Sequence, residues 1–156
     1  MSRSETRGRP RSRQAASRSG AIGKADYEAL AEFRHALREF LDFSQAAARQ
    51  AGLAPQQHQA LLAIKGYPGR DEVTVKELAE RLLLRHHSAV ELIDRLEALG
   101  LLRRKPDPED GRRVRVALTA KAEGRLADLS ATHLEEIRRL GPGLRLLLGR
   151  FAKSRD

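Results

Sequence analysis

The chain has 156 residues, 40% of them apolar, and 30 Lys and Arg against 21 Asp and Glu give a formal net charge of +9. That is one domain's length with material for a core, and with no Cys there is no disulfide framework, thiolate metal site, Cys nucleophile or cysteine redox sensor. No apolar run nears the roughly 18 residues of a membrane span and the Arg-rich N-terminus lacks the apolar stretch of a secretory signal, so the expectation is a soluble, cytoplasmic protein with no membrane association.

The charge is unevenly placed. Residues 1–20 carry six Arg and one Glu, a local +5, which leaves +4 on the other 136 residues. This segment is poor in apolar residues and rich in Ser, Gly and Arg, so residues 1–22 are expected to be a disordered basic arm. Within it, Arg7-Gly8-Arg9-Pro10 has the form of an AT-hook core, an Arg-Gly-Arg that lies along an A·T-rich minor groove. Nonspecific attraction to phosphate and an inert tail stay open beside that reading. Arg outnumbers Lys by 24 to 6, which suggests a GC-rich coding sequence, so placement rather than total basicity carries the argument.

From Asp26 the pattern is helical: Leu30, Phe33, Leu37 and Phe40 form one stripe, which predicts a long helix over 26–50 that ends before Gly52. A shorter helix starts at Pro55 and runs through Leu61, Leu62 and Ile64 to Lys65. After the breaker GYPGRDE comes a β-branched stub, Val73-Thr74-Val75. Thr74 stands at an N-cap and Glu77 completes a capping box, so a helix follows with Leu78, Ala79 and Leu82 inside. A second helix over about 86–99 puts Ala89, Leu92, Ile93, Leu96 and Leu99 on one face, and Gly100 ends it.

The period then changes from 3.6 to 2. Residues 101–105 and 113–118 read as two strands joined by a Pro/Asp/Gly turn, with Val114, Val116 and Leu118 facing the core and Arg113 and Arg115 on a basic outer face. Thr119 caps a long helix carrying Leu126, Leu129, Ile137 and Leu140, interrupted by His133. Gly141-Pro142 is expected to break it, and Leu144, Leu147, Leu148 and Phe151 mark a last amphipathic helix. The fold class is mainly α (α+β).

Two short helices joined by a tight turn and followed by a β-hairpin form a winged helix-turn-helix, whose second helix enters the DNA major groove. Residues 73–119 resemble the DNA-binding core of the MarR family of transcriptional regulators. The likeness rests on Glu77-Leu78-Ala79, on Leu92 to Glu97, on Gly100-Leu101, and on the wing pattern from Asp107 through Asp110 and Arg112 to Val116, Leu118 and Thr119. It extends more loosely over residues 24–153, a single domain with a winged core at 54–119 and flanking dimerisation helices at 26–50 and 119–153.

The outward positions of the second helix can carry recognition. Ser88 can donate or accept, Val90 can pack on a thymine methyl, Glu91 can accept from a cytosine amino group, and His86 and His87 can donate to N7 or phosphate. Arg85 stands where the family usually has a Ser cap and reads as a phosphate or base contact, and Arg95 also faces outward. Val90 and Glu91 replace residues frequent in relatives, so no operator sequence is carried over. In the wing six cations (Arg103, Arg104, Lys105, Arg112, Arg113, Arg115) face three acids (Asp107, Glu109, Asp110). The resemblance implies that Asp110 orients Arg112, which enters the adjacent minor groove, with Arg113 beside it.

The resemblance also implies an intertwined homodimer, with Leu30, Phe33, Leu37, Phe40, Leu144, Leu147, Leu148 and Phe151 as its apolar stripes. It further implies a small phenolic or other aromatic effector bound between the dimer helices and the reading head. The expected function is a sequence-specific regulator of double-stranded DNA, a repressor on a pseudo-palindromic operator. Two alternatives stand beside it: a basic nucleic-acid-binding protein without sequence specificity, and a ligand-binding dimer whose reading head has lost DNA. No catalytic arrangement and no cofactor or metal site is expected. The acidic turn places Gly111 where a calcium loop needs an oxygen, His86 and His87 point about 100° apart on a helix, and His35, His58 and His133 read as single packed or solvated histidines.

Overall fold

The computed structural model describes residues 22–153. Its elements run in the order α1 (Lys24–Gln50), α2 (Pro55–Lys65), β1 (Glu72–Thr74), α3 (Val75–Leu82), α4 (His86–Ala98), β2 (Leu102–Pro106), β3 (Val114–Leu118) and α5 (Ala120–Lys153). The three strands form an antiparallel sheet with β3 in the centre, so Val73 and Arg104 both stand opposite Val116.

Local chemistry accounts for the boundaries. Thr74 Oγ1 accepts from the Glu77 N–H at 3.3 Å while Glu77 accepts from the Thr74 N–H at 2.8 Å, the reciprocal box expected from the sequence. Ala54 has no capping oxygen, and Gln57 Oε1 takes its N–H instead at 2.9 Å. Gly100 has φ +70°, and the N–H groups of Gly100 and Leu101 return to the carbonyls of Glu97 and Leu96, which closes α4 as a left-handed cap. Thr119 ties two ends together: its hydroxyl donates to the Gly100 carbonyl at 2.7 Å and accepts from the Ala122 N–H at 3.3 Å.

One core joins the head to the long helices. Leu53, Leu61, Ile64, Val73, Leu78, Leu92, Ile93, Leu96, Leu101 and Val116 are fully buried. Each such side chain contributes about 1.5–3 kcal/mol on burial. Helices α1 and α5 run antiparallel, since Phe33 meets Phe151 edge-on at 6.1 Å while Ser44 bonds His133 further along.

Three sequence expectations are corrected. Gly141-Pro142 does not break the last helix: α5 is continuous and Pro142 lies inside it. Proline crowds both the N–H and the Cβ of the residue before it, and here that residue is Gly141, which has no Cβ to clash. Leu99 is 48% exposed rather than inside, because it is the cap residue where the chain leaves α4. The alternation in β3 also fails: Val114 is exposed, whereas Arg115 and Ala117 are buried together with Val116 and Leu118.

Candidate nucleic-acid interface

Helices α3 and α4 are joined by a three-residue turn whose first residue, Leu83, has φ +54° and is 92% exposed. The N–H of Leu84 returns to the Ala79 carbonyl at 2.9 Å, which fixes the turn that angles α4 away from α3. Ala89, Leu92, Ile93 and Leu96 hold α4 to the core. On its other side Arg85, His86, His87, Glu91 and Arg95 are exposed and Ser88 and Val90 half-buried. Arg85 is the N-cap residue and makes no side-chain cap, so it is free to project outward.

Asp94, also outward, is already engaged. The guanidinium of Arg104 on β2 bonds Asp94 and Glu97, one turn apart on α4. This fork strengthens the basicity of Arg104, foremost through the bond to Asp94. It fastens the wing stalk to α4. On the opposite edge Glu72 receives Lys105 and, at 3.0 Å, Arg115, and Arg115 also lies 3.1 Å from Asp107. Of the basic outer face expected for the hairpin, Arg113 is exposed but Arg115 is buried, and Arg104, Lys105 and Arg115 are committed to acids of the head itself.

The loop from Asp107 to Arg113 is built by its acids. Asp107 Oδ1 accepts from the Glu109 N–H at 2.8 Å, and Asp110 Oδ1 accepts from the Arg112 N–H at 3.1 Å. Asp110 thus holds the backbone of Arg112 rather than its guanidinium, and its other oxygen faces Arg113 Nε at 3.7 Å. The Arg112 side chain stands exposed at the tip.

Sequence reasoning missed a pairing deeper in the molecule. His58 of α2 and His133 of α5 stack with ring centroids 4.8 Å apart, and Phe40 and Phe43 of α1 meet His133 edge-on. The Leu129 carbonyl accepts from His133 Nδ1 at 2.7 Å, so in the neutral ring Nε2 accepts from the Ser44 hydroxyl at 2.8 Å. The available signal was a histidine on the apolar stripe of α5. Among the described residues no group of three or more His, Cys, Asp or Glu could hold a metal ion, and no helix is long and apolar enough to cross a membrane.

Of the expected dimerisation residues, Phe33 and Phe151 face each other within the chain and Phe40 packs on His133. Leu144 and Leu147 are half-buried. Leu30, Leu37 and Leu148 are exposed, with Leu41, Leu134 and Ile137 exposed on the same two helices. Arg7, Gly8, Arg9 and Pro10 lie outside the described residues.

A sequence model described as MarR family matches residues 51–113. No curated protein matches the chain significantly. Solved structures share the fold over nearly their whole length. AbsC, a MarR family transcriptional regulator from Streptomyces coelicolor, is 18% identical with a TM-score of 0.68, covering 85% of this chain and 90% of AbsC. A MepR mutant from Staphylococcus aureus, bound to an oligodeoxyribonucleotide, is 20% identical with a TM-score of 0.61, covering 83% and 98%. BpsR from Bordetella bronchiseptica, whose DNA binding is regulated by 6-hydroxynicotinic acid, is 20% identical with a TM-score of 0.58, covering 81% and 97%. Residues 51–113 thus match the MarR family, and the chain as described has the fold of MarR-family transcriptional regulators.

Proposed function

We propose that this protein is a sequence-specific, double-stranded-DNA-binding transcriptional regulator that acts as a homodimeric repressor on a pseudo-palindromic operator. The observation that carries this reading is the placement of Arg112, exposed at a wing tip that its own acids brace, beside an α4 whose outer face is open. A helix presented this way fits a major groove, and a guanidinium beyond it reaches the adjacent minor groove. Arg85, His86, His87, Ser88, Val90, Glu91 and Arg95 are then the major-groove set, and Arg112, with Arg113 and the bracing Asp110, the wing set.

A single head reads one short half-site, and the exposed apolar residues of α1 and α5 support a second copy. The dimer seam is best assigned to Leu30, Leu37 and Leu148, with Phe33 and Phe151 mainly holding α1 to α5 within each copy. Control of a structural relative by a hydroxylated aromatic acid supports a small aromatic effector here, seated between the long helices and the head. Such a ligand relieves repression only if it binds the DNA-incompetent arrangement more tightly.

Hydroxyl-radical footprinting over the gene's own upstream region tests the proposal. Two protected half-sites about one helical turn apart are expected, with minor-groove protection lost in Arg112→Ala. A single protected site, or a footprint unchanged by Arg112→Ala, would overturn the corresponding part.

A further inference from the structure

Two histidines sit where the head meets the long helices. His58, near the start of α2, is 4% exposed and His133, in the middle of α5, is 8% exposed, with ring centroids 4.8 Å apart. Helix α1 contributes Phe40 and Phe43, edge-on to His133, and Ser44, whose hydroxyl lies 2.8 Å from its Nε2. Leu or Phe would fill such a junction without burying polar ring nitrogens, and neither histidine belongs to the DNA-facing set.

Little around the pair can receive a positive charge. Among the described residues neither ring reaches a carboxylate, and burial, then His133, disfavours the charged form of His58. Glu136, one turn beyond His133 on α5, is taken up by Arg139 at 2.6 and 2.9 Å. Arg38, Glu39 and Asp42 on α1 and Asp128 and Glu135 on α5 are exposed. The single Lys of α2, Lys65, stands at its far end and reaches Glu123 of α5 at 2.8 Å and Asp71 at 3.0 Å.

Helix α2 is therefore fastened to α5 at two points, the histidine stack near its start and the Lys65–Glu123 ion pair at its end. It also carries the head, because its Leu61 and Ile64 are buried in one cluster with Val73, Leu78 and Val116. A proton on the stacked pair favours an arrangement in which the ring meets water. With the ion pair intact, the start of α2 then swings about its end and the head moves with it. Two heads held at fixed spacing bind a duplex without the ordering cost that two swinging heads incur.

We infer that the His58–His133 stack is a proton-operated joint: a proton taken up by the pair on mild acidification releases the start of α2 from α5 and lowers affinity for the upstream duplex. The inference rests on the homodimeric DNA-binding reading above and adds to it a control that needs no organic effector.

The test pairs duplex titrations with amide hydrogen exchange of the full chain at about pH 7.5 and pH 5.5, for wild type, His58→Phe and His58→Gln. Both substitutions remove the titrating ring, and if the thermal midpoint shows that one does not fold, the other carries the comparison. The other four histidines are common to all three proteins, so the change in affinity between the two pH values isolates His58. Wild type is expected to lose about three- to tenfold more affinity than either variant on acidification, tenfold being about the limit for one imidazole over this interval. Its α2 amides are expected to exchange faster at the lower pH, after correction for the intrinsic rate, and those of the variants are not. Equal losses of affinity in wild type and variants, or α2 exchange in wild type that does not respond to pH, overturns the inference. Failure of the specific-regulator reading looks different: the upstream and a random duplex then bind alike, while wild type still loses more affinity than the variants. A wild-type chain that binds neither duplex overturns both.

Discussion

Arg115 Nε lies 3.1 Å from the Asp107 carboxylate at the base of the wing, with the two side chains 10% and 4% exposed, and the same guanidinium meets Glu72 at 3.0 Å. Removing the shared cation leaves the buried Asp107 carboxylate without a cation and Glu72 with Lys105 alone, so Arg115→Ala is expected to lower stability by about 3 kcal/mol in chemical denaturation. The Asp107 carboxyl is held below the usual carboxylate range, first by the Glu109 N–H and, against the opposing effect of burial, by Arg115. A depressed folded value means the contribution is complete above about pH 4, the unfolded value, and is lost as pH falls through the folded one. The denaturation midpoint should therefore drop on acidification below about pH 4, and drop less in Asp107→Asn.

Leu83 adopts φ 54°, ψ 40° while almost wholly exposed, a left-handed conformation that costs a residue with a Cβ about 1 kcal/mol. Leu83→Gly is expected to raise stability by about that amount, read as a higher thermal midpoint, while Leu83→Ala gains little. Equal midpoints for the Gly and Ala variants would contradict the strain at this turn.

The fork from Arg104 to Asp94 and Glu97 is half-solvated, so its loss should leave the thermal midpoint almost unchanged. Its effect is expected in DNA binding, because it ties the wing to α4, the two parts proposed to meet the duplex. Arg104→Ala and Asp94→Ala should each weaken binding, and the double variant should be no weaker than Arg104→Ala, a coupling of about 1 kcal/mol in the cycle. Simple additivity would show that the two residues act separately.

Burial first, and the neighbouring His133 second, hold the His58 imidazole below its ordinary pKa. The unfolded chain therefore takes up a proton at His58 before the folded chain does. Its contribution is complete above about pH 6.5 and declines as pH falls through that value towards the folded one. Urea midpoints at about pH 7.5 and pH 5.5 should show this decline in wild type and a smaller one in His58→Phe. The same decline in both proteins would place its origin elsewhere.

The sequence made local features legible and long-range pairing illegible. Thr74 with Glu77, Pro55 and Gly100 were readable because a cap is decided within a few residues. The order of helices and hairpin followed from the change of period, and the outer positions of α4 followed from its apolar face. Arg115 was misplaced because the alternation of a strand does not reveal that Glu72, on another strand, and Asp107 wait to receive it. The sequence marks Pro142 as a break because a proline in a helix interior removes a backbone hydrogen bond. The stacking of His58 on His133 depends on how α2 meets α5, which neither helix encodes alone.

In the proposed function a few positions on α4 and the wing read sequence, rather than the net charge of +9 binding any duplex. Competition of the purified chain between its own upstream region and a random duplex, across a salt series, measures this directly. A preference of at least about 10³ for the upstream duplex is expected, persisting as salt rises and both affinities fall. Equal affinity for the two duplexes at every salt concentration would contradict it.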